Sequence, residues 1–173
     1  MPDSIVTSKP GYYRAYLDQV KEKDLTDAFT NQSQVIKSLL ASISENKSMF
    51  SYAEGKWTLK EMLQHLIDTE RVFCYRAMCF ARKEPVTLPS FDENGYATAS
   101  EANRRSWESL IEEFETLRKS TLLLFQNFTP SMLEQEGRAG INTLAVNDIG
   151  FLIVGHLNHH IRIIEERYLV KGL

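Results

Sequence analysis

Cysteine is almost missing from this sequence: Cys74 and Cys79 are the only two in 173 residues. They lie five positions apart within a helical pattern, so their side chains point to different faces and do not readily bridge. A disulfide-stapled scaffold is thereby excluded, and the two read as reduced packing thiols. Runs of eighteen apolar residues are also missing, which excludes a membrane-spanning helix, and the opening MPDSIVTSKPGYY is too polar for a secretory leader. The expected compartment is the cytoplasm. Neither sign of charge dominates: 20 basic against 23 acidic side chains leave a net −3, without the basic footprint that nucleic-acid binding needs. Internal repeats and low-complexity tracts are absent, and the stretches rich in Pro, Gly and Asn are short enough to be loops.

What is present is ordinary globular material. Apolar residues at 43% and charged residues at 25% lie far from the composition of a disordered chain. A chain of this length buries enough core to fold without disulfides or a structural metal, so residues 1–173 read as one domain.

Apolar periodicity predicts four long helices after a short helical leading segment at residues 12–20. Asp24 is an N-cap ahead of Leu25, Ala28, Phe29, Ile36, Leu39, Leu40 and Ile43, which recur at three- and four-residue steps. Thr58 with Glu61 forms a capping box at the start of the second helix, and Trp57 and Met62 occupy the staple positions. Its stripe runs Leu59, Met62, Leu66, Phe73, Ala77 and Phe80, and Pro85 and Pro89 mark the loop that follows. The third helix keeps the pattern from Trp107 to Phe128, ending at Thr129-Pro130. A polar loop through Gly137 and Gly140 leads to the fourth, with its stripe from Val146 to Tyr168 and Gly172 as a C-terminal cap. No strand is evident, so the class is all-α, and four amphipathic helices satisfy one another as a four-helix bundle. The connections are long enough that simple up-down neighbours are not guaranteed.

All four histidines lie in the second and fourth helices. At about 100° per residue, with His156 at zero, His160 falls at about 40° and the apolar stripe centres near 60°. Both imidazoles sit on the buried face, one turn apart, at the spacing that lets one helix supply two ligands to a metal. His159 falls about 120° from the centre and is expected to face water. His65, toward the edge of its own helix's stripe, is the one remaining candidate for a third ligand. A single buried histidine usually reads as a hydrogen-bonded core residue. Three together leave several polar nitrogens to satisfy, each missing bond costing roughly 1–3 kcal/mol, which favours a shared metal.

The intervening Leu157, Asn158 and His159 supply no glutamate, so the zinc-protease helix is not supported. Asp68, one turn beyond His65, has three readings: it orients an imidazole, takes a proton from water, or lies on the surface. Arg76, Arg82, Arg104 and Arg105 read as solvated charges rather than an anion-binding mouth. Residues 88–96 (LPSFDENGY) mix aromatic and acidic side chains and are candidates for a cavity cover.

Residues 56–70 (KWTLKEMLQHLIDTE) and 155–161 (GHLNHHI) resemble the DinB/YfiT-like superfamily. So do residues 12–16 (YYRAY), 88–96 and 163–169 (IIEERYL), so the resemblance spans nearly the whole chain. It implies a four-helix bundle of unusual helix order, frequent dimerisation, and one metal held by His65, His156 and His160, the three that periodicity selects. Some members are S-transferases using low-molecular-weight thiols, and others are described as metal-dependent hydrolases. The expectation is therefore one divalent transition metal, zinc by availability or nickel by its affinity for imidazole. It activates a thiol toward a small electrophile, or water for hydrolysis, in a homodimer acting on small molecules. A non-catalytic bundle is the remaining alternative: if Asp68 closes the metal as a fourth ligand, the ion is a structural clip.

Overall fold

A computed structural model describes residues 11–169 of the chain, so the proposed Gly172 cap lies outside the described residues. A short leading helix α1 (Gly11–Leu17) precedes the four long ones, α2 (Leu25–Ala41), α4 (Leu59–Ala81), α6 (Trp107–Gln126) and α8 (Val146–Ile163). Between them stand the short helices α3 (Glu45–Ser48), α5 (Glu93–Ala99) and α7 (Pro130–Leu133), none of which periodicity can reveal over so few residues. The helix α8 continues from Ile164 to Leu169 as a π-helical turn.

Local chemistry starts the long helices where the sequence predicts. The Asp24 carboxylate accepts from the N–H of Asp27, and the Thr58 hydroxyl accepts from Glu61 N–H while the Glu61 carboxylate accepts from Thr58 N–H at 2.8 Å. Asp148 reaches back in the same way to the N–H of Ala145 at the start of α8.

The all-α class holds, with one local exception among the described residues. A hairpin of β1 (Glu136–Ala139) and β2 (Asn142–Ala145) pairs antiparallel, with Glu136 opposite Ala145 and Ala139 opposite Asn142. The two-residue turn needs Gly140 at φ +57°. Four-residue strands reading EGRA and NTLA carry too little alternation to be seen from sequence.

The helix order is not up-down. α4 packs on α6 and α8, and α2 packs on the same two, so the square runs α2, α8, α4, α6 and consecutive helices α2 and α4 are diagonal. The core falls into two clusters. One gathers Ala28 and Phe29 of α2, Phe73 to Phe80 of α4, Phe125 of α6 and Ile149 to Val154 of α8. The other gathers Ile36 and Leu40, Leu59 to Ile67, Trp107 to Phe114, and Leu157 to Ile164. α2 and α8 therefore run from the first cluster to the second, while α4 and α6 run the other way. Because α4 and α6 are parallel neighbours, the connection between them must travel the length of the bundle, and it carries residues 88–96 and α5 across its middle.

That middle is a polar belt. Gln32, Glu70, Arg118 and Thr121 are all buried there, with the Arg118 Nη2 2.8 Å from a Glu70 oxygen, its Nη1 donating to Gln32, and the Thr121 hydroxyl donating to Glu70 at 2.6 Å. The Arg118 guanidinium also lies over the rings of Phe29 and Phe114. Removing one member of such a buried pair costs about 3–5 kcal/mol, because the other is left charged and alone.

Candidate metal centre

Where α4 and α8 cross this belt, His65, His156 and His160 come together, exposed by only 3%, 6% and 7%. The Nε2 atoms of His65 and His160 each lie 3.1 Å from Nε2 of His156, and the potential ligand atoms of all three fall within 4.8 Å of one another. With metal–nitrogen bonds of about 2.05 Å, a nitrogen separation of 3.1 Å subtends about 100° at a shared ion, close to tetrahedral geometry and open to further ligands. The donor set thus fits a divalent transition metal: three neutral imidazoles, aimed at one point.

Burial sets their charge. Loss of hydration pushes His65 down to about 4 and His160 down to about 3, and the fully enclosed His156 well below its ordinary range, each also opposed by its neighbours' charge in the case of His156 and His160. Neutral rings with Nε2 lone pairs converging on one point are poor company for each other and good ligands for a cation. Two outer nitrogens have identifiable surroundings: His65 Nδ1 lies 3.5 Å from the Thr69 hydroxyl, and His160 Nδ1 is buried with no hydrogen-bond partner among the described residues. Behind His156 a void of about 10 Å³ is lined by Glu70 and Arg118, placing the polar belt at the back of the site.

Two cavities reach the cluster, one at His156 and the other at His160. One, of about 400 Å³, is walled by Tyr13 and Tyr16 of α1, by Thr69, Phe73 and Arg76 of α4, by the hairpin turn from Ala139 to Asn142, by the crossing loop at Ser90, Phe91 and Glu93, and by His156. The other, of about 260 Å³, lies toward the opposite end of the bundle and is lined by Tyr52, Trp57, Met62, Asn94, Tyr168 and His160. Residues 88–96 therefore do wall the site. The hairpin holds that loop in place: Leu88 N–H donates to Arg138 O, and Gly140 N–H donates to Leu88 O at 2.8 Å.

Several sequence expectations need correction. Arg76 is buried, not solvated; its Nη2 donates to Pro89 O at 2.9 Å, because the crossing loop lies directly over this face of α4. Arg105 is half-buried beside Glu113, where it also donates to Gln64 Oε1 at 2.9 Å, whereas Arg82 and Arg104 are exposed as expected. His159 is half-buried against the edge of Tyr16, since α1 packs across that face of α8. Asp68 accepts from Gln64 Nε2 at 3.0 Å and faces Arg71, so its carboxylate joins the charges between α4 and α6 rather than the three imidazoles. Its pKa is raised by burial, offset in part by Gln64 and Arg71.

Sequence reasoning singled out neither Thr69 nor Tyr16 for the site, and took Trp57 only as a helix staple and Glu93 only as part of the loop at residues 88–96. Thr69 was within reach, one turn after His65 on the same face; Trp57 stacks 4.7 Å from the His65 ring. Tyr16, 5.3 Å from the His156 ring, is raised in pKa by its burial and then by Glu93 and Tyr13; its approach to His156 and Glu93 joins distant segments and leaves no local pattern.

Comparison with known proteins fits this geometry. The family described as the DinB superfamily matches residues 28–164. A protein of Oceanobacillus iheyensis bearing the name "Putative metal-dependent hydrolase OB0413" is 23% identical over 121 residues, 69% of each chain. Among solved structures, YfiT from Bacillus subtilis, described as a probable metal-dependent hydrolase with an unusual four-helix bundle topology, superposes with a TM-score of 0.68. That match covers 96% of this chain and 91% of YfiT at 15% identity.

Proposed function

The chain belongs to the DinB superfamily, and from that premise we propose that it is a metal-dependent enzyme acting on small molecules. Its metal ligands are His65, His156 and His160. The observation that carries this reading is the convergence of three buried, neutral imidazoles, 3.1 Å apart at the nearest, one of which, His156, lines a cavity of about 400 Å³. A divalent ion such as zinc or nickel, bound there, supplies Lewis-acid chemistry that lowers the pKa of a coordinated thiol or water.

The chain's own residues do the rest. Thr69 and Trp57 orient His65, the polar belt backs His156, and burial keeps all three rings unprotonated. Thiol transfer to a small electrophile is the preferred reaction, supported by two separate cavities, one reaching His156 and the other His160, which give each reactant its own approach to the cluster. It also needs no general base, and Asp68 is turned elsewhere. Hydrolysis is the second reading, favoured by Glu93, whose carboxylate lies on the larger cavity, and by the names of the two relatives.

The two are separated by giving the metal-loaded protein a panel of cellular thiols with a chromogenic electrophile and, in parallel, ester and amide substrates. The expected result is turnover that requires thiol and is abolished in His65→Ala. Hydrolysis independent of thiol, lost in the same variant, would replace transfer by the second reading.

A further inference from the structure

Among the described residues, Arg76 is the one buried arginine that the bundle does not neutralise. Arg118, the other deeply buried one, is paired with Glu70 at 2.8 Å, whereas Arg76, 4% exposed, makes no ion pair among the described residues. Its one hydrogen bond among the described residues goes from Nη2 to Pro89 O. A guanidinium offers five N–H donors and stays charged at any working pH, and no Arg76 nitrogen is among the buried ones left without a partner, so its unused donors stay accessible to a ligand. The side chain lines the larger cavity, together with His156.

Its place on α4 gives the cavity a direction. Thr69, Phe73 and Arg76 follow His65 on one face at steps of four, four and three residues, and all three line the cavity. From Thr69, beside the His65 ring, to Arg76 the helix rises about 10 Å. A ligand lying along this wall has one end at the imidazoles and the other at the guanidinium.

We propose that Arg76 is the anchor for a carboxylate on the substrate, so that the larger cavity takes small, extended molecules with an anionic group at the end remote from the reacting atoms. This rests on the three imidazoles being the reactive centre. The planar fork of the guanidinium matches a carboxylate with two parallel hydrogen bonds. Glu93, the one carboxylate among the lining residues, is exposed and makes no ion pair with Arg76, and its charge disfavours a doubly charged group such as a phosphate monoester. Phe73, between the two ends, suits an apolar middle.

The test compares binding of monomethyl adipate, a monoanion of suitable length, with that of neutral dimethyl adipate, by NMR chemical-shift titration of metal-loaded and chelator-stripped protein. The expected result is binding of the monoanion about tenfold tighter in both forms. In Arg76→Met the two bind alike, with the diester unchanged, and Arg76→Lys retains part of the preference. Absence of a preference in the wild type overturns the proposal without any variant. So does a preference that vanishes on stripping, since the metal would then hold the carboxylate, and so does equal weakening of both ligands in Arg76→Met, the mark of a loop anchor alone. Failure of the metal reading would show separately, as absence of bound metal with the adipate preference intact.

Discussion

His65 and His160 link the chemistry of single side chains to the stability of the whole. Their folded pKa values, about 4 and about 3, lie below the ordinary 6.5, with desolvation as the first cause in both. Between those limits the unfolded chain binds more protons than the folded one, so stability rises with pH there. The metal-free protein is therefore expected to hold its full stability above pH 6.5 and to lose it progressively as pH falls toward 4. Urea midpoints from pH 8 to pH 4 measure this, and a flat profile would mean that the rings are solvated. His156 acts in the same direction. At this scale the three histidines were legible because a one-turn spacing and an inward face are properties of one helix. The burial of Arg76 and the half-burial of His159 were not, because each is covered by a segment remote in sequence, the crossing loop in one case and α1 in the other.

Among the elements, α1 and the hairpin matter more than their size implies, since each supplies a wall of the larger cavity. α1 reaches α8 through a gap that only glycine leaves: a Cβ placed on Gly155 would sit 2.2 Å from the Tyr16 carbonyl oxygen. Gly155→Ala must therefore lift α1 and carry Tyr16 away from the neighbouring His156. The expected cost is roughly 1–3 kcal/mol, read as a lower denaturant midpoint with the helical content of the long helices retained. A midpoint equal to that of the wild type would show that α1 packs less closely. The capping residues Asp24 and Thr58 marked helix starts correctly from sequence, as such signals are local. The hairpin had no comparable signal, being held by Leu88 across the chain rather than by alternation.

For the molecule as a whole, four amphipathic stripes were enough to indicate a bundle, whereas the diagonal placement of α2 and α4 depends on which stripes meet and cannot be read from any one of them. The parallel neighbours α4 and α6 force a long crossing segment over the belt, and that segment walls the larger cavity. Among the described residues no helix is long and apolar enough to cross a membrane. Following the family resemblance, we propose that the chain pairs as a homodimer; light scattering at micromolar concentration is expected to give twice the 19.9 kDa chain mass, and a value near 19.9 kDa would refute it. The central claim, that one metal is shared by three histidines, is tested most directly by elemental analysis of protein loaded with zinc or nickel and freed of excess ion. One metal per chain is expected in the wild type and less than about a tenth of that in His65→Ala, His156→Ala and His160→Ala, each checked by circular dichroism to be folded. Equal stoichiometry in the wild type and in folded His160→Ala would contradict it.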